Sequence, residues 1–123
     1  MLASSSIIAF IPTRDIARAR RFYEDLLGLR FVGEDGFAAI MNANGTMVRI
    51  ASVGDFAPAA YTIFGWKITD IRSVIAELTG KGVEFVRYPE MQQSNEGIWT
   101  APGGAQIAWF RDPDGNVLSL TQF

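Results

Sequence analysis

The chain repeats itself. Residues 7–32, "IIAFIPTRDIARARRFYEDLLGLRFV", and residues 61–86, "YTIFGWKITDIRSVIAELTGKGVEFV", share one order of parts. Each reads as an apolar run, Asp-Ile, an amphipathic stretch, glycine, and a second apolar run. Asp15 aligns with Asp70 and Ile16 with Ile71, an offset of 55 residues. A repeat constrains the fold more than any single motif. Both copies must form the same supersecondary unit and must cover the same apolar face.

Local chemistry says what the unit is. Ile7-Ile8-Ala9-Phe10-Ile11 is β-branched and aromatic and is closed by Pro12, so it reads as a strand. Thr13 or Asp15 can cap a following helix, and a carboxylate suits the positive end of the helix. Ile16, Ala19, Phe22, Tyr23, Leu26 and Leu27 recur at helical spacing. Gly28 then stands where a left-handed C′ residue belongs. In the second copy Asp70 caps, Ile71, Val74, Ile75 and Leu78 make the stripe, and Gly80 or Gly82 ends the helix.

Three strand-like runs follow each helix. They are Arg30–Gly33, Phe37–Met41 and Met47–Ala51 in the first copy. In the second they are Val83–Tyr88, a run within Gln106–Arg111, and Val117–Thr121. For the final hairpins the offset is 70, aligning Asn44-Gly45 with Asp114-Gly115 and Arg49 with Ser119. The rise from 55 to 70 places about fifteen extra residues in the second copy, in a loop insertion at about 88–104. Loops that long are commonly lids or disordered segments. The expected class is α+β, one domain of two βαβββ modules at about 5–52 and 61–123, with a linker at 53–60. One helix covers only one face of each sheet. Two modules in tandem would form a curved mixed sheet whose other faces line a shared cleft.

Strand parity assigns the lining. A three-residue loop at Pro113-Asp114-Gly115 sets Phe110 opposite Leu118 and Trp109 opposite Ser119. Phe110 and Leu118 then belong to the core, and Trp109 and Ser119 to the cleft. Trp66 has core parity. The same loop read around Ala43-Asn44-Gly45 sets Ala39 opposite Arg49 and Phe37 opposite Ala51. The first module thus offers Ile8, Phe10, Phe37, Ala39, Met47 and Arg49. The second offers Tyr61, Ile63, Ile107, Trp109 and Ser119, with Gln93 and Trp99 on the insertion able to close over them. Such a surface, apolar and aromatic with few polar groups, has the character of a small-molecule pocket. An inward arginine needs a partner. Arg49 would meet an anionic or carboxylate ligand, or turn outward to Glu34 or Asp55.

Composition removes much chemistry. The 123 residues contain no cysteine and no histidine, which excludes thiolate nucleophiles, zinc–sulfur sites and imidazole bases. A net charge of −2 argues against nucleic-acid binding. No apolar run approaches a membrane span, and "MLASSSIIAFIP" lacks the basic start of a secretory signal, so a cytoplasmic location is expected.

The βαβββ repeat, "FYEDLLGL" in the first half and "DPDGN" before the last strand resemble the vicinal oxygen chelate superfamily, over Ile7 to Thr121. That group holds glyoxalase I, extradiol dioxygenases, fosfomycin-resistance transferases and bleomycin-resistance proteins. The resemblance implies a divalent metal held by the first and last strands of each module, usually through His or Gln and Glu. Here those positions carry Ile8, Arg49, Ile63 and Ser119, which offer neither carboxylate nor imidazole. The expectation is therefore no metal, no cofactor and no metal-dependent catalysis. An unidentified small molecule, aromatic or carboxylate-bearing, would be bound for sequestration or resistance. A lyase or oxidoreductase of the family, and an interaction module with a self-filled cleft, are the alternatives. The resemblance also implies pairing as a homodimer.

Overall fold

The computed structural model describes Met1–Phe123 and divides into two compact units, Met1–Ala57 and Pro58–Phe123. The first holds β1 (Ile8–Thr13), α1 (Ile16–Arg20), β2 (Arg30–Glu34), β3 (Ala38–Ala43) and β4 (Thr46–Ser52). The second holds β5 (Thr62–Lys67), α2 (Ile71–Gly80), β6 (Trp99–Thr100), β7 (Gln106–Arg111) and β8 (Val117–Gln122). Each unit is one four-stranded sheet with a helix, ordered β1-β4-β3-β2 and β5-β8-β7-β6. The outer pairs β1–β4 and β5–β8 are parallel and the others antiparallel, so the fold is α+β with mixed sheets.

Both helix starts are built by the repeated aspartate. Asp15 Oδ1 accepts from Arg18 N at 3.0 Å and Asp70 Oδ1 from Ser73 N at 3.3 Å. Each cap contributes about 1 kcal/mol. Thr13, left open as a cap by the sequence, is fully buried and accepts from Asp15 N at 3.1 Å, bracing the turn. The helix ends differ. After α2, Gly82 at φ 93° lets Val83 N reach Leu78 O at 3.0 Å, a Schellman closure. After α1 the helix widens into a π-helical segment, Arg21–Leu26, and Leu27 N bonds Phe22 O at 3.0 Å. The expected stripe from Ile16 to Leu27 thus bends partway, and Tyr23 is fully buried within the wider turn.

In the first unit Ile11, Ala39, Met41, Val48 and Ile50 share the helix-side face and are all fully buried. In the second, Ile71, Ile75 and Leu78 of α2 are buried along with Phe110, Leu118 and Leu120. Trp66 stacks on Phe110 with ring centroids 6.2 Å apart and planes at 16°, in line with its core parity.

The insertion alters the second sheet. Val83–Tyr88 does not form the expected strand. It makes one bridge, Phe85 to Phe110, and one bond, Val86 N to Trp109 O at 2.7 Å. Farther along the same edge of β7, Trp99 and Thr100 pair with Ile107 and Gln106. Two short segments thus share the edge that β2 occupies alone in the first unit. Between them the chain folds back on itself. Gln93 Nε2 donates to Val86 O and Gly97 O, both at 2.9 Å, and its Oε1 accepts from Tyr88 N at 2.8 Å. Arg87 donates to the carbonyls of Ser94 and Asn95.

Candidate functional site

Position 49 stands in a row of three strands. Phe10 of β1, Arg49 of β4 and Ile40 of β3 are lateral neighbours, and Ile8, Met47 and Asn42 form the next row. Residues side by side in a sheet share a face, so Ile8, Phe10, Met47 and Arg49 lie together on the face away from the helix. Ile8 is 49% exposed, Phe10 63% and Met47 42%, so this apolar face is open in its own unit.

Two residues expected here stand elsewhere. Ala39 pairs with Ile50, not Arg49, and is fully buried on the helix side. Ala38, not Phe37, opposes Ala51; Phe37 precedes β3 and is 76% exposed. The reason is the turn. Asn44 at φ 51° and Gly45 at φ 96° form a two-residue hairpin loop, the geometry that Asn-Gly favours. Assuming three residues slips β3 by one position, and one position exchanges the faces. Ile40 is thus the neighbour of Arg49 that parity missed.

Arg49 has a partner that the sequence reading did not choose. Its Nη2 donates to Asp35 Oδ2 at 2.6 Å. Asp55, one of the expected partners, pairs instead with Arg14 at 3.1 Å. Asp35 also organises the β2–β3 connection, because its Oδ1 accepts from Phe37 N and Ala38 N at 3.0 Å each. The Arg49 hydrogen bond, followed by the two backbone donors, holds the Asp35 carboxyl below the usual carboxylate value of 3.8. Asp at the first position of such a turn is a legible signal, and "EDGF" contained it.

The second unit keeps the expected register. Trp109 opposes Ser119 and Phe110 opposes Leu118. Pro113 explains the contrast with the first hairpin: it stands where Ala43 stands but has no N–H with which to close a two-residue turn, and Gly115 at φ 89° completes a longer loop. Asp112 Oδ1 accepts from Asp114 N at 2.9 Å and Asn116 N at 3.0 Å, and its Oδ2 from Asn116 Nδ2 at 2.8 Å. "DPDGN" is thus a buried, self-bonded turn.

Beside Ser119 on β5 stands Gly65, so the row reads Gly65, Ser119, Trp109. The repeat offsets survive in three dimensions, since Phe10 beside Arg49 corresponds to Gly65 beside Ser119. Ile63 departs from the repeat. It falls in a bulge, because Thr62 pairs with Val117 and Phe64 with Leu118. Tyr61 precedes β5 and is 72% exposed. Ile107 and Trp99 pair laterally, and Trp109 lies 5.3 Å from Tyr88 and 6.2 Å from Trp99 between ring centroids. The aromatic group on this face is therefore Tyr88, Trp99 and Trp109. Gln93 forms an antiparallel bridge with Trp99 through its backbone, while its side-chain amide is engaged within its own loop. A groove of about 810 Å³ between α2 and the segments 83–87 and 95–96 is lined by none of these candidates.

No group of three or more Asp and Glu side chains is placed to hold a metal ion. At the four positions named by the resemblance, the residues offer two hydrocarbons, a guanidinium already bonded to Asp35, and one hydroxyl. This donor set does not fit a divalent cation.

Comparison with known proteins agrees with the topology. A family model described as Glyoxalase/Bleomycin resistance protein/Dioxygenase superfamily matches residues 6–120. A superfamily member from Sphaerobacter thermophilus DSM 20745 is 26% identical, with all of both chains covered and a TM-score of 0.75. A glyoxalase/bleomycin resistance protein/dioxygenase from Alicyclobacillus acidocaldarius is 19% identical over 98% of this chain and 92% of its own, with a TM-score of 0.71. A lactoylglutathione lyase from Agrobacterium tumefaciens is 15% identical over 97% of this chain and 93% of its own, at 0.74. A search of curated proteins finds no match. With the model matched over nearly its whole length, the chain belongs to the glyoxalase/bleomycin resistance protein/dioxygenase superfamily.

Proposed function

We propose that this member binds a small aromatic molecule bearing an oxygen acceptor, and does so without a divalent metal. The observation that carries the reading is the open sheet face of the first unit, where exposed Ile8, Phe10 and Met47 surround Arg49. Apolar walls exclude water and a single guanidinium orients the ligand, which is the division of labour in small-molecule sites. The aromatic group around Trp109 gives the second unit a stacking surface of similar character. The ionised pair at the first face is Arg49 with Asp35, and no imidazole or thiol stands beside it. The sequence contains neither His nor Cys, so binding, as in sequestration, is favoured over turnover.

The test has two measurements. Protein purified without chelator is analysed for Mn, Fe, Ni and Zn, and the Arg49 Nε–H signal in NMR is titrated, alongside tryptophan emission for the second unit, with a panel of aromatic amides, ketones and carboxylates. The reading expects metal far below stoichiometric and a saturable response to at least one aromatic compound. Stoichiometric metal overturns it.

The same exposed residues favour a second reading, that this face is covered by another copy of the chain, in keeping with the expected homodimer. Light scattering separates the two. A dimer that Phe10→Asp converts to monomer supports the second reading, and a monomeric wild type removes it.

A further inference from the structure

We propose that Asp35 sets the charge preference of the first unit's sheet face, turning Arg49 from a cationic anchor into a neutralised donor that selects a carbonyl or amide oxygen over a carboxylate. The inference rests on the small-molecule reading above and narrows its ligand class.

The geometry supports this in three steps. First, Asp35 is held whether or not Arg49 is present. Phe37 N and Ala38 N fix its Oδ1, which leaves Oδ2 aimed at the guanidinium at 2.6 Å. The ordering cost of the pair is largely met by the turn itself, so the pair persists despite partial exposure of both side chains, 25% for Arg49 and 40% for Asp35.

Second, the pair is electrically closed. Its neighbours Ile8, Phe10, Ile40 and Met47 are apolar. The other basic residue of this face, Arg30, lies on the far strand β2, two strands from β4, where it is paired with Asn42 of β3. That separation is about 10 Å, a full screening length at moderate salt.

Third, donors remain. A guanidinium carries five N–H groups, and Asp35 accepts one of them. The rest can meet a ligand oxygen. A ligand carboxylate there would sit roughly 5–6 Å from the Asp35 carboxylate, and their repulsion offsets much of the attraction to Arg49. A neutral carbonyl meets no such penalty. With solvent exposure and screening at moderate salt the difference is about five- to tenfold in affinity.

The test uses the intact chain with benzamide and benzoate, a neutral and an anionic probe of nearly the same shape. Asp35→Asn and Asp35→Ser both remove the charge while keeping an oxygen that can accept from the turn, so a folding failure in one leaves the other. Binding is read by NMR titration at the Arg49 Nε–H. Wild type is expected to bind benzamide at least as tightly as benzoate. Both variants should gain about five- to tenfold for benzoate, shift benzamide by less than about twofold, and lose most of the gain in 0.5 M salt. A wild type that prefers benzoate, variants with unchanged benzoate affinity, or no binding of either probe to any of the three proteins overturns the inference. Metal analysis of the same preparations keeps the two ideas apart. Stoichiometric metal overturns the small-molecule reading, whereas metal-free protein with unchanged benzoate affinity overturns only the role of Asp35.

Discussion

Replacing Gly65 with alanine would place a methyl carbon 2.5 Å from Ser119 Oγ and 3.0 Å from Ser119 O. Ordinary contact for such a carbon begins at about 3.4 Å, so the hydroxyl is nearly an ångström too close. Ser119 is only 8% exposed, and its hydroxyl has little room to swing away. The carbonyl cannot yield at all without moving β8. Overpacking of this kind costs about 1–3 kcal/mol, and the loss of glycine's freedom in the unfolded chain returns about 0.5 kcal/mol. Gly65→Ala should therefore destabilise the protein by about 1–2 kcal/mol. Roughly half of this belongs to the hydroxyl. Ser119→Ala in the same chain should recover about 0.5–1 kcal/mol beyond additivity, because these neighbours share one contact. Urea unfolding followed by tryptophan emission measures all four corners of the cycle, with the slope m checked for constancy. A Gly65→Ala protein as stable as wild type would refute the register that sets position 65 beside 119. So would a coupling below about 0.3 kcal/mol.

Two further outcomes follow from particular bonds. Asp112→Ala removes the acceptor for two backbone donors and the Asn116 amide inside a buried turn, and should cost about 3–5 kcal/mol in chemical denaturation, with Asp112→Asn closer to wild type. For Asp35 the folded carboxyl is held below its ordinary value, so its stabilisation is complete at neutral pH and lost as pH falls through a midpoint below 3.8. An acid titration of Asp35 by NMR should show that low midpoint, and Arg49→Gln should raise it toward 3.8.

Much of this molecule was legible in the chain because it depends on neighbours a few residues apart. Asp15 and Asp70 cap their helices through donors three residues on. The pairing of Trp109 with Ser119 follows from "DPDGN", since a proline without an N–H disfavours the shorter turn. The corresponding inference failed at Ala39 for a local reason too. Asn-Gly takes two positive φ angles where three loop residues were assumed, and one residue of slip reverses the face.

The sequence by itself determined the repeat, the two helices and the chemistry excluded by the lack of His and Cys. Only the tertiary structure decided which acid holds Arg49, since the sequence offers Glu34, Asp35 and Asp55 as carboxylates with nothing local to choose among them. Asp35 is chosen because two backbone N–H groups aim its carboxylate. Only the tertiary structure replaced the Val83–Tyr88 strand by two short pairings, because Gln93 and Arg87 tie the insertion to itself. It also put Gly65 under the hydroxyl of Ser119. Turns and caps are encoded by nearest neighbours. Which carboxylate meets which cation, and which strand lies beside which, depends on residues that meet only once the sheet has closed.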